Sequence, residues 1–147
     1  MTDFEDQARA ALAAKAKTER QLAAASICPP WRHALFGLLF GVLVAAPAFD
    51  PPIRYAMFAA ILCAIPLIMR SDRMRMGMFV NGYRRGKTRR VAFAILAIEL
   101  AIYALGLHRS LELGDHRAPL LLAPLAVAVG WIGSLWWQRV FVAELER

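Results

Sequence analysis

Residues 91–107 read VAFAILAIELAIYALGL, seventeen residues with one acidic or basic side chain, Glu99. At the helical rise of about 1.5 Å per residue, the run and a few flanking residues span a bilayer's hydrocarbon core. A half-buried soluble helix or strand of this length would carry polar residues with a period near 3.6 or 2. This run does not, so we read it as a membrane span.

Three similar runs lie on either side: Ala34 to Phe49, Tyr55 to Met69 and Ala118 to Trp137. With their flanks they predict spans at about 31–49, 51–70, 89–108 and 118–138. The chain is 59% hydrophobic with a mean hydropathy of +0.46, against about 45–50% apolar residues in a soluble domain. The excess sits in blocks, as membrane spans require. The expected fold is an all-α integral membrane protein, a four-helix bundle at 29–142 preceded by an N-terminal cytoplasmic helix at 1–28.

Prolines mark the boundaries. Pro29-Pro30 ends the Ala-rich N-terminal helix and opens the first span, and Asp50-Pro51-Pro52 turns the chain into the second. Ala45-Ala46-Pro47-Ala48 looks like a signal-peptide cleavage region, but the charged segment before it and the spans behind it predict a retained helix. In the N-terminal helix the stripe of Phe4, Ala8, Ala11, Leu12, Ala16 and Ala23 suits a partner helix better than lipid, having only two large residues. Pro66 and Pro124 fall inside the second and fourth spans, and Trp136 and Trp137 close the fourth as an aromatic belt would. The tail at 139–147 is polar enough to leave the membrane.

Charge sets the expected orientation. Arg70, Arg73, Arg75, Arg84, Arg85, Lys87, Arg89 and Arg90, opposed only by Asp72, account for the whole net charge of +7. Of the 18 Lys and Arg residues, three (Arg54, Arg109 and Arg117) fall on the opposite side of a four-span layout. Basic residues stay on the cytoplasmic side. Both termini and the basic loop at 70–90 are therefore predicted in the cytoplasm, with the protein in the inner (plasma) membrane. Within the loop, Arg73, Arg75, Arg84, Arg85, Lys87, Arg89 and Arg90 are candidate headgroup contacts for anionic lipid. The same charge beside apolar spans argues against nucleic acid as the partner.

Small residues recur every fourth position: Gly37 and Gly41; Ala56, Ala60 and Ala64; Ala97 and Ala101; Ala126, Gly130 and Ser134. Such stripes let helix backbones approach closely in lipid. Gly37, Gly41, Ala126, Gly130 and Ser134 are the candidate packing residues, within the bundle or between copies.

Glu99 is the candidate polar site. A carboxylate at the bilayer centre costs about 2.5–3.5 kcal/mol on insertion scales, so a glutamate there is expected to be neutral or to have a polar partner. Tyr103, one turn away, and Trp131, at matching depth in the fourth span, are the expected donors to it. The site reads either as a hydrogen bond joining helices or as a proton or cation site. In length and span count the chain resembles small multidrug transporters. Their glutamate lies in the first span and this one in the third, so the resemblance carries no residue across.

Enzymatic classes find little footing. Cys28 and Cys63 form no Cys-x-x-Cys and lie at different depths. His33 sits at one side of the membrane and His108 and His116 at the other, which fits no haem or metal set. The sequence has no Gly-rich nucleotide loop and no Ser-His-Asp candidate. No cofactor is expected. The leading expectation is a non-enzymatic membrane protein acting through helix packing, as a complex subunit or homo-oligomer with its basic loop on anionic lipid. The alternative is a small proton- or cation-coupled transporter or channel using Glu99.

Overall fold

The structure is a computed structural model that describes residues 2–25, 28–76 and 86–145. It is all-α. Helix α1 spans Thr2–Ala25, α2 Pro30–Ala45, α3 Pro51–Met76, α4 Lys87–Leu111 and α5 Arg117–Leu145, with a 3-10 turn at Ala46–Ala48 between α2 and α3. Helices α2 to α5 are each long and apolar enough to cross a membrane. The four expected spans are present, preceded by the expected N-terminal helix.

The four spans run antiparallel. One end of the bundle gathers the start of α2, the end of α3, the start of α4 and the end of α5; we call it the basic end. The other, the turn end, holds the 3-10 turn and the connection from α4 to α5. Helix α5 is the central element, packed against α2 and α4, which also touch each other. The buried residues of α4 are Thr88, Val91, Ile95, Glu99, Ile102, Gly106 and Ser110. They are spaced three or four apart, which makes one continuous seam down the helix. On α2 the matching stripe is His33, Gly37, Gly41 and Val44.

Glycine brings α2 and α5 together. A Cβ on Gly37 would stand 2.5 Å from the Val127 carbonyl oxygen, and one on Gly130 would stand 2.9 Å from the Gly37 Cα. The two backbones touch, so the candidate packing residues Gly37, Gly41, Ala126 and Gly130 do their packing inside the chain. Toward the turn end the crossing gives way to an apolar plug of Val44, Ile102 and Ala126, with Phe40, Tyr103, Leu122 and Val129 against it.

Helix α3 stands apart. Of its described side chains Asp72 alone is buried, while Ile53, Tyr55, Leu62, Ile65 and Leu67 are exposed. Polar contacts hold it at its two ends. At the basic end Arg32 grips Asp72 through Nε to Oδ1 at 2.9 Å and Nη2 to Oδ2 at 2.5 Å. At the turn end Arg54 donates from Nη2 to the Phe49 carbonyl at 3.0 Å and to the Pro47 carbonyl at 3.4 Å. Arg54 and Asp72, counted in the sequence only for their charge, are thus the fastenings of α3.

Two elements run longer than the hydropathy suggests. Helix α3 continues past Arg70 to Met76, and α5 continues through the expected tail to Leu145. For α5 the reason is packing: Phe141 is 2% exposed and stacks on Trp137 at a centroid distance of 5.1 Å. Farther along, the Glu144 carboxylate accepts from the backbone N–H of Lys87 and from Thr88 Oγ1 at 3.0 Å. It thereby supplies an acceptor and a negative charge to the N-terminus of α4. Gly86 leads into that turn at φ 148°, a backbone conformation that calls for glycine. The described side chains of α1 are exposed, and among them Phe4, Ala8, Ala11, Leu12 and Ala16 of the apolar stripe.

Candidate intramembrane polar site

Glu99 lies at the middle of the α4 seam, and the seam points it at α2 and α5. It is 2% exposed, and neither carboxyl oxygen has a hydrogen-bond partner. Room for it is made by glycine: a Cβ on Gly130 would lie 3.5 Å from Glu99 Oε1. The Gly37–Gly130 crossing that joins the helices is therefore also the wall of the carboxyl's chamber.

The expected donors do not reach it. Trp131 is 44% exposed and faces away from the seam. It follows Gly130 directly, and one residue turns the side chain about 100° around a helix. Matching depth places Trp131 level with Glu99, but the angle sends it to the surface. Tyr103 packs on the apolar plug. Of the three expected site residues, Glu99 holds the expected position and the other two serve as packing and lipid-facing groups.

One turn toward the basic end lies a pair the sequence reading did not join. His33 is 2% exposed and its Nδ1 sits 2.8 Å from Ser134 Oγ. A signal for this was present. His33 extends the Gly37/Gly41 stripe by four residues, and Ser134 does the same for Ala126/Gly130. Trp31 and Arg32 beside His33 suit a membrane interface, and that local context hides the stripe in the sequence. Ser134 is 8% exposed and its hydroxyl partners the imidazole. Beyond this pair, Gln138 Oε1 accepts from the Cys28 backbone N–H at 3.1 Å, which ties the start of α2 to α5.

The turn end is closed by a second polar knot. Ser110 Oγ donates to the Pro47 carbonyl at 2.6 Å and lies 2.9 Å from His116 Nδ1. A hydroxyl has one hydrogen, and here it goes to the carbonyl, so His116 must donate its Nδ1–H to Ser110. Nearby, His108 and Glu112 form an exposed pair one turn apart, at 2.7 Å. Among the described residues no three His, Cys, Asp or Glu side chains gather around a common point.

Of the candidate headgroup residues, Arg73, Lys87, Arg89 and Arg90 are exposed at the basic end. Arg84 and Arg85 lie outside the described residues, and so does the Arg75 side chain. An open groove along α3 at the same end is lined by Leu67, Arg70, Ser71 and Met74. No protein-family model matches the chain, and no curated protein or solved structure matches it significantly.

Proposed function

We propose that this protein is a small, non-enzymatic inner-membrane protein that works by helix association, with α3 as the docking helix and a second copy of the chain as its partner. The observation behind this reading is that α3, long and apolar enough to cross a membrane, buries no apolar side chain among its described residues. Within the bundle, packing is driven by close backbone approach at glycines, since lipid is as apolar as the helices. Helix α3 has a small-residue face of its own, Ala56, Ala60 and Cys63, and all three are exposed. The stripe centred on Gly37 and Gly130 is already occupied, and Ala97 and Ala101 on α4 are exposed as well.

Orientation makes a symmetric pair simple. In the proposed topology, with both termini and the basic end cytoplasmic and Arg73, Lys87, Arg89 and Arg90 near anionic headgroups, every copy inserts the same way. A two-fold axis along the membrane normal would then bring Cys63 to Cys63 at equal depth. The close approach that alanine allows fits the Cα separation of about 4.4–6.8 Å that a disulfide needs.

The test is oxidative cross-linking in native membranes. With Cys28→Ser removing the other thiol, Cys63 is expected to give a covalent dimer that Ala60→Leu suppresses. A chain that stays monomeric under oxidation, and runs as a monomer in detergent, would refute the α3 contact. Topology is checked separately: a periplasm-only reporter is expected to be active after Asp50 or Gly114 and silent after Arg147. A second reading, a small proton- or cation-coupled transporter, draws on one observation, the buried and partnerless Glu99 carboxyl.

A further inference from the structure

We infer that Glu99 is a proton-binding site that exchanges with one side of the membrane only, through Ser134 and His33 at the basic end. This does not depend on the α3 contact proposed above.

The ligand follows from the chamber. A sodium, potassium or divalent ion would require several oxygen ligands. Glu99 has two, and the space its Oε1 borders at Gly130 is bounded by the Gly37 backbone and the Phe40 ring. The facing stretches of α2 (34–49) and α5 (118–138) carry no acidic or basic side chain to pair with a carboxylate. A proton needs one carboxyl, and it removes the charge that hydrocarbon disfavours.

The route follows from what lies on either side. Toward the turn end the chain sets Val44, Ile102 and Ala126, each 8% exposed or less, with Phe40, Leu122 and Val129 packed on them. Among the described residues of α2, α4 and α5, Tyr103 is the one titratable side chain on that side within a turn of Glu99, and it packs on the plug. Toward the basic end α4 sets the buried Ile95 and Val91, while α2 and α5 set a buried polar pair. Ser134 and His33 sit one turn from Gly130 and Gly37, about 6 Å along the axis, and are bonded to each other at 2.8 Å. Beyond them come the Arg32–Asp72 pair and the Gln138 contact to Cys28. A hydroxyl and an imidazole each accept and donate hydrogen bonds, so both can pass a proton. One bridging water, or a rotation of Glu99 toward Ser134, completes the step to the carboxyl. In that step the carboxyl O–H bond breaks as a new bond forms at the acceptor, and the proton leaves by the imidazole. No oxidant or other reactant is involved.

The experiment uses the full chain in oriented proteoliposomes, read by infrared difference spectroscopy and by proton flux. Wild type is expected to show a carboxylic C=O band at neutral pH that Glu99→Gln removes and Glu99→Asp moves. Deuterium offered at the basic end should shift the band quickly, and deuterium offered at the turn end slowly. Ser134→Ala should retain the band but slow its exchange about tenfold, the effect of a barrier raised by about 1.4 kcal/mol. His33→Gln should do the same, and equal melting of these variants would show the fold intact. A carboxylate band that persists at neutral pH would overturn the proposal. So would equal exchange from both sides, steady proton flux that Glu99→Gln abolishes, or exchange unaffected by Ser134→Ala and His33→Gln.

Discussion

Gly130→Leu is expected to separate α2 from α5 and leave little folded bundle. The first added carbon would stand 2.9 Å from the Gly37 Cα and 2.9 Å from Phe40 Cδ2. Overpacking by a side chain typically costs about 1–3 kcal/mol when neighbours can shift. Here the nearest neighbour is backbone, which cannot rotate away, so the cost lies at or above the top of that range. Crowding of Glu99 Oε1 would add to it. Gly106→Ala is the control. Its nearest neighbours, on Pro119 and Leu122, lie at 3.6–3.7 Å, an ordinary contact distance. Replacing a helical glycine by alanine there should stabilise by up to about 1 kcal/mol. Thermal melting in a mild detergent separates the two, with Gly130→Leu falling and Gly106→Ala level or rising. Equal melting of both would show that the glycine crossing does not hold the bundle.

The second large effect is expected at Asp72. Its side chain is 5% exposed and that of Arg32 is 23% exposed, and they share a two-pronged ion pair. Removing one partner of a buried pair costs about 3–5 kcal/mol because the other charge is stranded. The Arg32 guanidinium keeps some access to the surface and can extend toward it, so Asp72→Ala should cost nearer about 2–3 kcal/mol. The double substitution Arg32→Met with Asp72→Leu should recover most of that, since two well-packed apolar groups often replace an ion pair at no loss. A double-mutant cycle on melting measures the coupling. Additive single effects would mean that the pair does not hold α3 to α2.

The spans and their order were legible because hydropathy records one quantity directly, the preference of a segment for hydrocarbon. It does not distinguish a helix buried by protein from one bathed in lipid, so the isolation of α3 could not be read from its run of apolar residues. The α4 face that carries Glu99 was legible, since Val91, Ile95, Glu99, Ile102 and Gly106 follow the spacing of a packing seam. Trp131 was misread because depth was used without angle. His33 was missed for a related reason: its neighbours in sequence suit an interface, while its neighbours four and eight residues on suit a buried stripe. The Arg32–Asp72 pair was hidden because no spacing in the sequence joins an arginine at the start of α2 to an aspartate near the end of α3.

The pairing of α2 with α5 sets a schedule for assembly. Helix α2 ends at Ala45 and its partner α5 ends at Leu145, so one hundred residues of synthesis separate them. At a ribosomal rate of about 5–20 residues per second, that interval lasts roughly 5–20 s. Throughout it the nascent first span sits in the bilayer with His33 and its glycine groove uncovered, while α3, next to be made, offers no surface that fills the groove. Until the last helix is released, something else must shield that face: lipid, the insertion machinery or a neighbouring chain. Truncation or stalling before α5 should therefore leave a species marked for quality control, whatever the three earlier helices achieve.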